Sequence, residues 1–237
     1  MRNRRKFHDF SPDVFMPSIR RGHITSYVQI WLLDFSGFFC SFVANMDRKT
    51  FFENELLRCA DVVSRGGVIA YPTDTVWGIG CDSSDSGSVE KVFAIKRRSD
   101  AKALISLVAD EEMLEAVVGP LSAEIRELVR SDRPTTVIFE HPRGLAPEML
   151  AADGSAAIRM TREPFSQQLC RRLGRPLVST SANVSGEPTP ARFSDISGEI
   201  LDAVDYVAGY GRDEAELHAP SRIVKIAAGG ELVFIRK

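Results

Sequence analysis

From residue 50 onward the apolar residues alternate between helical and extended spacing. Leu56, Leu57, Ala60 and Val63 recur at helical intervals behind Thr50-Phe-Phe-Glu53, which has the spacing of a capping box, and Gly66-Gly67 stops that helix. The next apolar run, Val68-Ile-Ala-Tyr71, ends at Pro72 as a buried strand would. A second helix is predicted from about Ser88, with Val89, Val92, Phe93 and Lys96 on one face. Strands are predicted over 103–108, 135–140, 156–160 and 176–180, and helices over 111–118 and 123–129. Thr161 is predicted to cap a further helix that carries Pro164 near its start and stops at Gly174. Residues 222–227 and 231–236 flank Gly229-Gly230 and form a predicted hairpin. Strands interleaved with helices, closed by a hairpin, predict an α/β fold with a mixed sheet. No repeat, low-complexity tract or linker interrupts the chain after Met46, so 46–237 is expected to be one domain.

Residues 1–45 do not share this pattern. Arg2, Arg4, Arg5, Lys6, Arg20 and Arg21 precede an apolar run from Val28 to Ala44 that Asp34 interrupts. The favoured expectation is an extension, disordered or lying before a true start at Met46. A peripheral helix and a targeting segment are the alternatives.

Composition narrows the class. The 237 residues are 44% hydrophobic and 26% charged, which excludes a wholly disordered chain and a polytopic membrane protein. A formal charge of −2 makes nucleic-acid binding by bulk charge unexpected, while a local basic groove stays open. Cys40, Cys59, Cys81 and Cys170 are scattered, as are the four histidines, so neither a disulfide framework nor a zinc signature is present. This usage fits a reducing cytoplasm.

Three stretches carry candidate chemistry. Tyr71-Pro-Thr-Asp-Thr-Val-Trp-Gly-Ile-Gly-Cys-Asp82 begins at the end of a buried strand and offers threonines, an aspartate and glycines. It is either a ligand mouth or a strand–turn–strand connection whose threonines satisfy backbone groups. Lys96-Arg-Arg98, with Lys102, sits where a helix hands over to a strand. There the cations either match an exposed helix end, contributing little to folding, or clamp phosphate. Were the helix to continue, Arg97 would point about 100° away from each neighbour. Ser179-Thr-Ser-Ala-Asn-Val-Ser-Gly186 offers neutral donors at a strand end, where α/β sheets bind ligands, or else forms a plain polar turn. Walker, zincin and nucleophile-elbow motifs are absent from the sequence. The remaining inventory suits stabilising negative charge better than shuttling protons.

In this order and spacing the stretches resemble the YrdC-type threonylcarbamoyl-AMP synthase family, over essentially Asp47 to Lys237. Pro134-Thr-Thr136, Ala157-Ile-Arg159 and Pro220-Ser221 extend the match. The resemblance implies a single-domain twisted mixed sheet with flanking helices and a concave basic cavity. It also implies formation of threonylcarbamoyl-AMP and pyrophosphate from L-threonine, bicarbonate and ATP for tRNA modification, with Mg²⁺ arriving on the ATP and no protein-held metal. By motif, Lys96, Arg98, Ser181 and Asn183 match the catalytic set. Thr75, Arg159, Thr180 and Ser221 match threonine-binding positions. Lys102, Thr136 and Arg236 join Lys96, Arg98, Ser181 and Asn183 as nucleotide contacts. Expected partners are these small molecules, tRNA or double-stranded RNA, and the downstream threonylcarbamoyl transferase machinery, with no membrane. Ser99 stands where many members have proline, and Leu107 where a histidine is common. The rival readings are an RNA-binding module lined by Arg97, Arg98, Lys102, Arg171, Arg172 and Arg175, and a carbamoyl-adenylate enzyme like the related domain of hydrogenase-maturation proteins.

Overall fold

The computed structural model describes residues 47–98, 104–213, 220–227 and 231–237. The segment 1–45, Ser99 and Lys102 therefore lie outside the described residues. The elements in chain order are α1 (residues 47–64), β1 (Ile69–Tyr71), β2 (Gly78–Gly80), α2 (Ser86–Ile95), β3 (Ile105–Val108), α3 (Glu111–Val118), α4 (Ala123–Arg130) and β4 (Thr135–Glu140). There follow β5 (Ser155–Met160), α5 (Pro164–Leu173), β6 (Leu177–Ser181), α6 (Gly198–Ala203), β7 (Tyr206–Val207), β8 (Arg222–Ile226) and β9 (Leu232–Arg236).

Local chemistry sets these boundaries. Asp110 accepts the Met113 N–H at 3.1 Å and Glu111 and Glu112 follow it, so α3 starts where carboxylates complement the helix dipole. Ser122 does the same for α4, accepting from the Ile125 N–H at 3.3 Å. Two expected caps are displaced. Thr50 lies inside α1, because residues three apart in a helix have the same spacing as a capping box. The cap of α5 is Glu163, whose carboxylate accepts from the Phe165 and Ser166 N–H groups at 2.8 and 2.6 Å. Thr161 instead shares a 2.8 Å hydrogen bond with Ser166. Gly174 ends α5 at φ 65°.

The sheet has nine strands among the described residues, ordered β7-β1-β2-β6-β3-β5-β4-β8-β9, with parallel and antiparallel pairs mixed. Its centre is tight. A Cβ on Gly80 would lie 1.7 Å from the Val178 carbonyl oxygen, so β2 and β6 approach as closely as glycine permits. One core cluster joins α1, α2 and α5 to β1, β2 and β6, through Leu56, Val92, Phe165 and Leu169 among others. A second lies beneath α3 and α4, where Leu114, Ile125 and Val129 meet Val137, Phe139 and Ile158.

Strand alternation then decides which side the polar residues take. Val137 and Ile158 face α3 and α4, so Thr136 and Arg159, paired in register, point to the other side of the sheet. The last strand needs an irregularity to follow suit. Val224 pairs Phe234, yet Ile223 pairs Arg236, which leaves Ile235 as an extra residue in a β-bulge. By that count Arg236 shares a side with Ile223, Thr136 and Arg159. No helix among the described residues is long and apolar enough to cross a membrane. Cys59, Cys81 and Cys170 are buried free thiols.

Candidate active site

The side of the sheet reached by Arg159 and Arg236 carries a cavity of about 260 Å³. Its wall is drawn from the whole length of the domain: Thr75 from the β1–β2 loop, Arg98 beyond α2, Arg159 on β5, Thr180 and Ser181 on β6, Ser221 before β8, and Arg236 on β9. Seven sequence-expected site residues therefore meet in one place. Ser179 and Thr189 add further hydroxyls, and no histidine, cysteine or carboxylate lines the wall among the described residues. Three guanidinium groups amid hydroxyls make a site that stabilises anions and has no evident proton carrier.

Lys96, Thr136 and Asn183 stand behind the wall. Lys96 is only 2% exposed, which overturns the expectation that it lies on an exposed helix end. Its ammonium donates to the carbonyl oxygens of Ser181 and Asn183 at 2.6 and 2.8 Å, bracing the turn that presents the Ser181 side chain. Burial, and next the charge of Arg98, push the Lys96 ammonium down to about 8. Asn183 donates its amide to the carbonyls of Val184 and Glu187 at 3.0 and 2.8 Å, while its Oδ1 is buried without a hydrogen bond. Thr136 shares a 2.9 Å hydrogen bond with the Ser221 hydroxyl. Arg236 Nε donates to the Ser221 carbonyl at 2.8 Å, so the bulged strand is tied to the wall at this point. Burial, and next the positive charge of Arg159, lower the Arg236 guanidinium from its ordinary value.

Arg97 and Arg98 are separated by backbone geometry. The helix stops at Ile95, and Arg97 adopts φ 49°, a left-handed position that glycine usually fills. The expected helical phase therefore does not apply to Arg97. The Arg98 N–H closes back onto the Phe93 carbonyl at 2.9 Å, and its side chain turns to the cavity while Arg97 pairs with Glu199 at the surface. Leu107, paired in register with Arg159, is fully buried in the first core cluster and does not line the cavity.

The first loop combines both readings weighed for it. Thr73 serves the backbone, donating to the Val76 carbonyl at 2.7 Å and accepting the Thr75 N–H at 3.2 Å. Thr75 faces the cavity, and its hydroxyl lies 3.4 Å from Arg159 Nη2. Sequence reasoning gave no task to Asp74, which lies 2.8 Å from the same nitrogen, or to Thr189. Thr189 sits between two prolines just after the Ser179–Gly186 stretch, and that rigid flank is the signal that marks it. Its segment is anchored by Phe193, which packs on Trp77 at 4.8 Å between ring centroids.

The protonation of Lys96 sets a pH expectation. If its charge supports binding of phosphate, ATP affinity measured without threonine or bicarbonate should fall as pH rises through about 8. Folding stability should move the other way. Between about 8 and 10.5 the unfolded chain holds the proton that the folded chain has released, so the contribution of Lys96 rises with pH across that window. Calorimetric titrations and denaturant melts at pH 7, 8 and 9 measure both; an ATP affinity flat over this range would remove Lys96 from the binding charge.

The model of the Sua5/YciO/YrdC family, described as telomere recombination, matches residues 61–237. A threonylcarbamoyl-AMP synthase of Chromohalobacter salexigens is 35% identical over 158 residues, covering 64% of this chain and 85% of that protein. One from Methylococcus capsulatus is 41% identical over 137 residues, 56% of this chain and 72% of that protein. Among solved structures, Pyrococcus abyssi Sua5 complexed with L-threonine superposes with a TM-score of 0.67 at 22% identity, over 76% of this chain. The match spans 53% of that longer chain. Escherichia coli YciO gives 0.66 at 22% identity, over 77% of this chain and 88% of its own. These two likenesses speak to the fold.

Proposed function

The chain belongs to the Sua5/YciO/YrdC family, and from that premise we propose that it is an L-threonylcarbamoyladenylate synthase. It joins L-threonine, bicarbonate and ATP into threonylcarbamoyl-AMP and pyrophosphate, as a nucleotidyltransferase serving tRNA threonylcarbamoyladenosine formation in the cytoplasm. The observation that carries this reading is the convergence of Arg98, Arg159 and Arg236 with Ser181 and Ser221 on one cavity.

Each group has a task suited to its place. Arg159, with Thr75, Thr180 and Ser221 nearby, takes the threonine carboxylate as a planar fork. Arg98 and Arg236, with the charge of Lys96 behind them, neutralise the triphosphate; Lys102 and Thr136 are assigned to the same nucleotide. Mg²⁺ enters as part of the nucleotide substrate, held by phosphate oxygens and water. Bicarbonate condenses with the threonine amine to a carbamate, losing water, with the ammonium proton passing to solvent. A carbamate oxygen then attacks the α-phosphorus, and the α–β P–O bond breaks to release pyrophosphate. Nothing in this sequence asks for a resident acid or base on the wall, because positioning and charge stabilisation lower the barrier.

The RNA-module alternative loses ground on a specific observation. Of the arginines proposed to line its groove, Arg97, Arg171, Arg172 and Arg175 are each ion-paired, with Glu199, Asp110, Glu53 and Asp82. Paired charges release fewer counterions from a polyanion, so this surface is a poor nucleic-acid track.

Pyrophosphate release should require threonine and bicarbonate together, since the nucleophile is their adduct. A coupled pyrophosphate assay with each omitted in turn is the test. Equal release with unrelated amino acids, or none with threonine, would reject the synthase reading.

A further inference from the structure

The proposed chemistry leaves Asp74 without a task, although its carboxylate reaches the most buried cation of the cavity wall. Arg159 is 3% exposed at its side chain and Asp74 10%, with Asp74 Oδ1 2.8 Å from Arg159 Nη2. A guanidinium so far from water needs a counter-charge. Arg98 and Arg236 share its cavity and carry the same sign, so neither supplies one. Asp74 is the acid within ion-pair distance of Arg159 among the described residues.

The pair is close in charge and unfulfilled in direction. Asp74 Oδ1 accepts no hydrogen bond, and Arg159 Nε donates none, although both atoms are buried. Arg–carboxylate pairs frequently close the fork with two parallel hydrogen bonds, and this one does not. Here the remaining tie is the 3.4 Å contact from Nη2 to the Thr75 hydroxyl, itself 3.2 Å from that of Thr73. The loop 73–75 thus meets the guanidinium at Nη2 and leaves Nε without an acceptor.

We propose that Asp74 is a positioning residue for amino-acid recognition: its charge holds Arg159 at the cavity wall while leaving the directional donors of the guanidinium for a ligand carboxylate. The identity of that ligand, an α-amino acid, rests on the synthase reading above. Without Asp74 the guanidinium stands unneutralised between like charges, and it shifts away from the position that receives the carboxylate.

The test is Asp74→Asn, which keeps size and removes charge. The threonine KM should rise by about tenfold or more, with kcat and the ATP KM changed by less than about twofold. A second readout needs no turnover: the ¹⁵N signal of Arg159 Nε–H, assigned by its loss in Arg159→Lys. In the ligand-free wild type it should be sharp and slow to exchange with water, and in Asp74→Asn it should broaden. An unchanged threonine KM overturns the proposal, and a lowered one makes Asp74 a competitor of the substrate. An unchanged Nε signal overturns it as well. Should the wild type release no pyrophosphate with threonine, the synthase reading fails, and the Nε signal alone judges Asp74.

Discussion

Arg98→Ala is expected to cut pyrophosphate formation by about 100-fold or more with a nearly unchanged thermal midpoint, whereas Lys96→Ala loses both activity and stability. Arg98 lies beyond the helix end, half-buried, and lines the cavity. A donor aimed at charge that develops in a transition state is worth about 3–4 kcal/mol, a hundred- to a thousandfold in rate. Lys96 differs because its ammonium holds the Asn183 carbonyl, while the Ser181 carbonyl would still keep the Asn183 N–H at 2.9 Å. Leaving one buried carbonyl unpaired and a cavity beside it costs about 2–3 kcal/mol, or roughly 4–12 °C in a domain of this size. Arg97→Ala is the control, since it removes only an exposed ion pair with Glu199. Turnover assays and thermal melts on the three variants decide the matter. Normal turnover in Arg98→Ala would end the phosphate-clamp assignment.

Arg159→Ala should raise the threonine requirement by about 30-fold to several thousandfold, the equivalent of roughly 2–5 kcal/mol for a desolvated charge pair broken on one side. The ATP requirement should change by no more than about threefold, because the carboxylate fork belongs to the amino acid. Some stability will go as well, since Asp74 is left beside Nη2 without its partner at 2.8 Å. The ratio of the two KM changes is therefore the measure to read. Equal loss for both substrates would mean that Arg159 supports the wall and does not select threonine.

Much of this arrangement was legible in the sequence, for local reasons. The bounds of α3 and β4 follow from an acidic cap, a clean apolar period and flanking turn residues, and they match the structure to the residue. The cap of α5 misled because two oxygen-bearing side chains precede Pro164; a proline at the first helical position makes the residue before it the cap, and that is Glu163. Lys96 held two conflicting signals. Its place on the apolar face with Val89 and Val92 pointed inward, its charge pointed outward, and two carbonyl acceptors let the inward signal prevail. What was not legible is what depends on distant partners. The two-residue β7 exists because the Val68 and Ala70 carbonyls accept from Asp205 and Ala208, and no period marks so short a strand. The approach of Asp74 to Arg159 links loop to strand across the centre of the sheet, and neither neighbourhood hints at the other.

The supernumerary Ile235 has a consequence for how the protein behaves among its own copies. Val233, Phe234 and Ile235 are 49%, 42% and 57% exposed along the strand that ends the sheet among the described residues, an oily rim. A regular rim of this kind invites a foreign strand to dock, and an irregular one denies it the even spacing of donors and acceptors. Excising Ile235 would leave Arg236 opposite Ile223, because the ladder would then count correctly without the bulge. Deleting Ile235 is therefore expected to keep Arg236 on the cavity side while evening the spacing along this edge, and light scattering over a concentration series measures whether self-association rises.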